Sequence, residues 1–193
     1  MTMNKSSVTS SWSKWTNSVF RQSENLLPGL NVVKQWWNKQ EANSTLNKQS
    51  GDSSGSVCLI GAGVGDPELL TIKAYRLLQK ADVILVDWLV AEQLYDYMPK
   101  AARRIFVGKK CGKHSIKQSD ICELLVTEAR AGNKVVRLKG GDPSVFGRLA
   151  EEAQALTENN IPFAIVPGVT AASGCAAYTG IPLTHRDCAQ SVK

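Results

Sequence analysis

The stretch "VVRLKGGDPSVFGR", residues 135–148, passes from an apolar strand-like run into a loop holding two glycines, an aspartate and a proline. A glycine pair at that point permits a sharp turn or a close approach of backbone to a ligand. Reading outward, the same pattern recurs along the chain. "VCLIG" (57–61), "DVILVD" (82–87), "RIFVG" (104–108), "KVVRLKG" (134–140) and "FAIV" (163–166) are short apolar runs bounded by turn residues, which predicts buried strands. Asp66-Pro67 or Thr71 starts a helix with Ala74, Leu77 and Leu78 as its apolar stripe. Ser119 is expected to cap "DICELLVTEARAG", with Ile121, Leu124 and Leu125 inward and Gly132 just past its end. A helix around 146–158 follows, and after Pro167-Gly168 comes the small-residue helix "TAASGCAAY" (170–178). Strands alternating with helices predict an α/β fold, a parallel sheet flanked by helices on both faces.

The 193 residues give room for one ordinary domain and a tail, and 43% hydrophobic content supports a real core. A net charge of +6 points mildly to an acidic partner, but no long basic run or interleaved aromatics mark a nucleic-acid binder. The five cysteines (Cys58, Cys111, Cys122, Cys175, Cys188) form no C-x-x-C pair, so a reduced, cytoplasmic compartment is expected, with no metal site. No apolar stretch reaches the length of a membrane span.

Residues 1–56 differ in composition: rich in Ser, Asn, Gln and Lys, they carry Trp12, Trp15, Trp36 and Trp37. Trp12, Trp15 and Val19 fall at helical spacing, as do Val33, Trp36 and Trp37, and "NKQSGDSSGS" (47–56) has the composition of a flexible linker. The segment reads as a polar tail whose tryptophans dock on a partner or a second subunit. An organelle transit peptide is the alternative, since Lys5, Lys14 and Arg21 precede the first acidic residue, Glu24.

In parallel sheets, ligands bind outside the carboxyl ends of the strands. Gly61–Gly65, Asp87, Lys109, Gly140–Asp142 and Gly168–Ala171 all fall at such ends. "GAGVGDPELLT" (61–71) resembles a dinucleotide fingerprint with Asp87 near the ribose-binding position, but Asp66 stands where a third small residue is needed. A carboxylate and a proline at a helix entrance remove the N–H groups and positive potential that a pyrophosphate requires. Asp142-Pro143 repeats the feature. Two such loops suit a ligand with a ribose, an amino group or a cationic centre, and S-adenosylmethionine has all three. The plainer alternative is that both Asp-Pro pairs are helix-start punctuation.

"GAGVGDPELLT", "VRLKGGDPSVFGR" and "VPGVTAASGCAAYTGIPLTHRDCAQSV" closely resemble the uroporphyrinogen-III C-methyltransferases of the tetrapyrrole methylase superfamily, from Val57 to Val192. The resemblance implies a two-domain α/β fold with the active site in the cleft between domains, in a homodimer. Residues 57–180 would be the first domain, and 181–193 the start of a second that is cut short. It implies transfer of methyl groups from S-adenosyl-L-methionine to C2 and C7 of uroporphyrinogen III, giving precorrin-2 for sirohaem or cobalamin. By motif, the cofactor would touch Val64, Gly140, Gly141, Asp142, Val145, Thr170 and Ala171. Asp87 resembles the family's proton acceptor and Lys109 its proton donor. "KQWWNK" (34–39) loosely resembles the linker ahead of the methyltransferase in multifunctional sirohaem synthases.

The substrate is rich in carboxylates, and Arg103, Arg104, Lys109, Lys110, Lys113 and His114 form the densest basic patch, with His185 and Arg186 a second. Guanidinium forks and ammonium groups suit such side arms. The chain departs from the family pattern at Val64 (for proline), Trp88 (for arginine), Leu149 and Ala150 (for glycines) and Cys188 (for tyrosine). Rival readings are a precorrin methyltransferase, a non-catalytic module holding S-adenosylmethionine or a tetrapyrrole, and, disfavoured by Asp66-Pro67, an NAD-dependent oxidoreductase.

Overall fold

The computed structural model describes residues 55–108 and 116–192. Within them lie five strands: β1 (Ser56–Gly61), β2 (Val83–Val86), β3 (Arg103–Phe106), β4 (Lys134–Lys139) and β5 (Phe163–Val166). All pair in parallel, in the order β3-β2-β4-β1-β5. Four helices accompany them: α1 (Ile72–Leu78), α2 (Gln118–Arg130), α3 (Leu149–Glu158) and α4 (Ala171–Thr179). Two short 3-10 segments, Pro67–Leu69 and Glu92–Tyr97, complete the described elements.

The strand order reverses once. From β1 the chain steps outward through β2 to β3, then returns to insert β4 between β2 and β1, and ends at β5 on the far edge. Right-handed crossovers therefore send α1 and Glu92–Tyr97 to one face and α2 and α3 to the other. Two cores follow from this split. On the first face Ala74, Leu78, Leu94 and Met98 pack on Ile60, Ile84, Val86, Val136, Leu138 and Val166. On the second, Ile121, Leu125, Ala129 and Leu156 pack on Val57, Leu59, Val83, Leu85 and Val135. Strands covered on both sides carry apolar residues at successive positions, as the wholly buried "VILV" of β2 does.

Local signals explain most boundaries, and some differ from expectation. Asp66 and Thr71 each start an element. The Asp66 carboxylate accepts from the Glu68 amide at 2.9 Å, and the Thr71 hydroxyl accepts from the Ala74 amide at 3.1 Å. Ser119 is not the cap of α2. Lys117 holds that place without a side-chain bond, and the Ser119 hydroxyl donates to Asp120 within the first turn. β3 stops at Phe106, and the third helix begins at Leu149 rather than near 146. Phe146 and Arg148 both have φ of 52°, a left-handed conformation that interrupts any helix running through them. The linker reading reached one residue too far, since Ser56 already pairs with Lys134. The predicted tail helices, Lys109, Lys110, Lys113 and His114 lie outside the described residues.

Candidate active site

Adjacent strands β1 and β4 leave the sheet toward opposite faces, which opens a crevice between their carboxyl ends. The loops after them meet there: Gly63 donates to the Gly141 carbonyl at 3.2 Å, and Gly141 donates back to Gly63 at 2.7 Å. Gly141 takes φ +66°, a conformation that favours glycine. A third backbone closes on them from the end of β5. A Cβ on Gly168 would sit 2.4 Å from the Gly141 oxygen and 2.8 Å from the Gly61 carbonyl carbon. The crevice floor is thus main chain without side chains. Gly168→Ala is expected to force these loops apart, lowering the urea midpoint by an amount worth ~1–3 kcal/mol without changing the slope.

The sequence-predicted cofactor residues converge on this floor. Gly141 lies against Thr170 and Ala171 at the start of α4, while the Val64 side chain packs where a Cβ on Gly174 of α4 would stand. Gly140 lies under Leu89, with room for no Cβ. Val145 is exposed on the turn closed by its amide to the Asp142 carbonyl. Asp142 serves the loops themselves. One carboxylate oxygen accepts from the Ser144 amide at 2.8 Å and from its hydroxyl, and the other from the Gly168 amide at 3.1 Å. Burial works to raise its pKa, yet those three hydrogen bonds together hold it below the ordinary aspartate value. The punctuation reading therefore fails for Asp142, since no helix starts there. It holds for Asp66, whose second oxygen also accepts from the Tyr178 hydroxyl at 3.0 Å.

Beside the crevice, at the end of β2, stands Asp87. Its Oδ1 accepts from the Trp88 amide at 2.7 Å and its Oδ2 from an Arg137 terminal nitrogen at 3.3 Å. It does not cap a helix, because the next helical turn begins only at Glu92. The carboxylate borders a cleft of about 470 Å³ lined by Gly108, Lys117, Gln118, Ile121, Arg137 and Arg148. Behind it lies a charged cluster that reading the sequence missed. Arg137, Lys139 and Glu152 are all buried. Glu152 Oε1 accepts from Arg137 Nε at 3.1 Å and Gln118 Nε2 at 3.2 Å, and Oε2 accepts from Lys139 Nζ at 2.7 Å. Burial pulls the Lys139 pKa below the ordinary lysine value, against the opposing pull of Glu152. The available signal was two-residue spacing, which sets Arg137 and Lys139 on the core-facing side shared with Val135.

Other predicted residues are not brought to the crevice by the contacts seen. Arg103 and Arg104 open β3, beside Val83 and Ile84, so they lie at the far end of the sheet from Asp87. Arg103 pairs there with Glu128 of α2. Those two members of the expected basic patch therefore stand away from Asp87. His185 and Arg186 are exposed on a turn after α4, where His185 exchanges backbone hydrogen bonds with Ala189. Among the described residues no group of His, Cys, Asp and Glu is arranged to hold a metal, and no helix is long and apolar enough to cross a membrane. The described cysteines are free, and burial pushes the Cys58 and Cys122 thiols up, away from reactivity.

Comparison with known proteins agrees with this geometry. The family model for tetrapyrrole (corrin/porphyrin) methylases matches residues 56–193. A siroheme synthase of Vesicomyosocius okutanii is 49% identical over 175 residues, covering 88% of this chain and 38% of that protein. That alignment is longer than residues 56–193, so it reaches into the preceding segment. A Pseudomonas putida siroheme synthase is 59% identical over 139 residues, covering 72% of this chain and 30% of its own. The chain thus spans about a third of the length of the curated relatives it matches. Uroporphyrin-III C-methyltransferase from Thermus thermophilus, solved with S-adenyl homocysteine, superposes with a TM-score of 0.61 at 50% identity. The match covers 71% of this chain and 57% of that one. A cobalt precorrin-4 methyltransferase superposes with a TM-score of 0.62 at 34% identity, over 74% of this chain and 57% of its own. From the matched residues, the shared sheet and these identities, the chain belongs to the tetrapyrrole methylase family.

Proposed function

We propose that the chain carries the amino-terminal part of an S-adenosyl-L-methionine-dependent uroporphyrinogen-III C-methyltransferase. It would act at C2 and C7 to give precorrin-2 for sirohaem or cobalamin. The observation that carries the reading is the crevice whose floor is the touching backbone of Gly61, Gly141 and Gly168, with Val64, Thr170 and Ala171 around it. Such a floor admits a flat, uncharged adenosyl group closely, and Asp66-Pro67 and Asp142 leave no phosphate site there. The residues present fit S-adenosylmethionine, and a relative at 50% identity was solved with the demethylated form of it.

When bound, that group supplies a methyl activated by its sulfonium. The chain's own part is to align a pyrrole carbon and move protons. Asp87, at the crevice edge and facing the cleft, takes the proton lost from the methylated ring carbon. Lys109 returns one during tautomerisation. Lys110, Lys113, His185 and Arg186 pair with substrate carboxylates. Residues 57–180 form the first domain, 181–193 begin a second, and the complete enzyme is a homodimer. The free thiols among the described residues agree with a cytoplasmic setting.

Calorimetric titration of the chain with S-adenosylhomocysteine, with NAD as control, tests the reading. Saturable binding of the first alone is expected and, with S-adenosyl-L-methionine supplied in its place as methyl donor, methyl transfer to uroporphyrinogen III. Binding without turnover would favour the non-catalytic module, and binding of NAD would defeat the crevice argument.

A further inference from the structure

Arg137 lies in register between Leu59 of β1 and Leu85 of β2, in the middle of an apolar face. Arginine there is costly. A buried ion cluster seldom exceeds, and often falls below, the stability given by apolar residues of similar volume. Stability therefore does not explain the presence of Arg137, Lys139 and Glu152. Their charges do not cancel among themselves either, because two cations face one buried carboxylate. The fourth charge is Asp87, which receives the outward arm of Arg137.

The geometry of that arm is fixed from behind. Glu152 holds Nε of Arg137, and Lys139 and Gln118 hold Glu152, so the guanidinium plane has little freedom. Its terminal nitrogen then engages Oδ2 of Asp87, while the Trp88 amide engages Oδ1. With both oxygens held, the carboxylate keeps one orientation toward the cleft.

We propose that Arg137, locked by Glu152, is a positioning residue that sets the Asp87 carboxylate for proton acceptance. The proposal rests on the role given to Asp87 above. A displacement of about 1 Å at a reacting group is enough to cost ~10²-fold in rate, which gives a reason to keep a charged cluster in the core.

The Trp88 amide is a built-in reporter, since its hydrogen bond reads the orientation of Asp87. In the full chain labelled with ¹⁵N, Arg137→Met is expected to move the Trp88 resonance toward its position in Asp87→Ala. Its hydrogen exchange should quicken about tenfold. Arg137→Met leaves Lys139 and Glu152 as a balanced pair. If it nevertheless unfolds, the triple change Arg137→Met, Lys139→Met, Glu152→Leu removes the whole cluster and is read in the same way. In turnover, kcat should fall ~10²-fold with KM nearly unchanged. A Trp88 signal that stays at the wild-type position while Asp87→Ala moves it overturns the proposal, as does a moved signal with full kcat. If the wild-type chain shows no methyl transfer, the functional reading fails, and the Trp88 signal still decides whether Arg137 positions Asp87.

Discussion

Asp87→Asn is expected to slow methyl transfer by ~10²–10⁴-fold, the range of a lost general acid or base. Binding of S-adenosylhomocysteine should be unaffected. The substitution keeps the shape of the side chain and an oxygen that can accept from the Trp88 amide, so the turn after β2 retains its local bond. The crevice floor is built by β1, β4 and β5 and does not include this carboxylate. What asparagine removes is a group able to take a proton, facing the cleft beside Gly108 and Gln118, together with the negative charge that meets Arg137. Single-turnover kinetics with uroporphyrinogen III, run beside calorimetry, separates the two effects. Equal loss of rate and of cofactor affinity would instead make Asp87 a structural end-piece of β2.

The sheet was legible because its strands are short apolar runs bounded by glycine, aspartate or proline, and each run found in the sequence became a strand. The crevice was legible for the same reason: Gly140-Gly141 and Gly168 have no structural use at strand ends other than turning or close approach. Glu152 was not. In "EEAQAL" nothing distinguishes it from its exposed neighbour Glu151 until the phase of α3 is known. That phase depends on the left-handed residues at 146 and 148, a turn no local rule announced. Arg137 and Lys139 were hidden by the opposite error, a strand taken as apolar throughout although its alternate positions carry charge. Ser119 misled because a good capping residue at the second position of a helix looks the same in sequence as one just before its start. Arg103 and Arg104 misled because nearness along a chain is not nearness across a sheet: both open β3, a strand's length from Asp87.

Breaking the buried cluster at its centre has the second large expected effect. Glu152→Gln should destabilise the fold by ~3–5 kcal/mol, because it leaves Arg137 and Lys139 in the core without a buried counter-charge. For a domain of this size that lowers the thermal midpoint by roughly 2–4 °C per kcal/mol. The pH dependence should identify the cause. Lys139 titrates below the ordinary lysine value of 10.5 in the folded chain, with burial the main reason. Between that lowered value and 10.5 the unfolded chain holds the lysine proton more tightly than the folded one, so stability rises with pH. Removing the Glu152 charge lowers the folded value further and widens the window. Glu152→Gln should therefore recover part of its loss in urea titrations at alkaline pH, where the wild type gains less. The triple apolar replacement, which buries none of these charges and has no lysine at 139 to titrate, should show neither the loss nor the alkaline recovery. If it proves as unstable as Glu152→Gln, packing at position 152 rather than buried charge would be what holds α3 to β4.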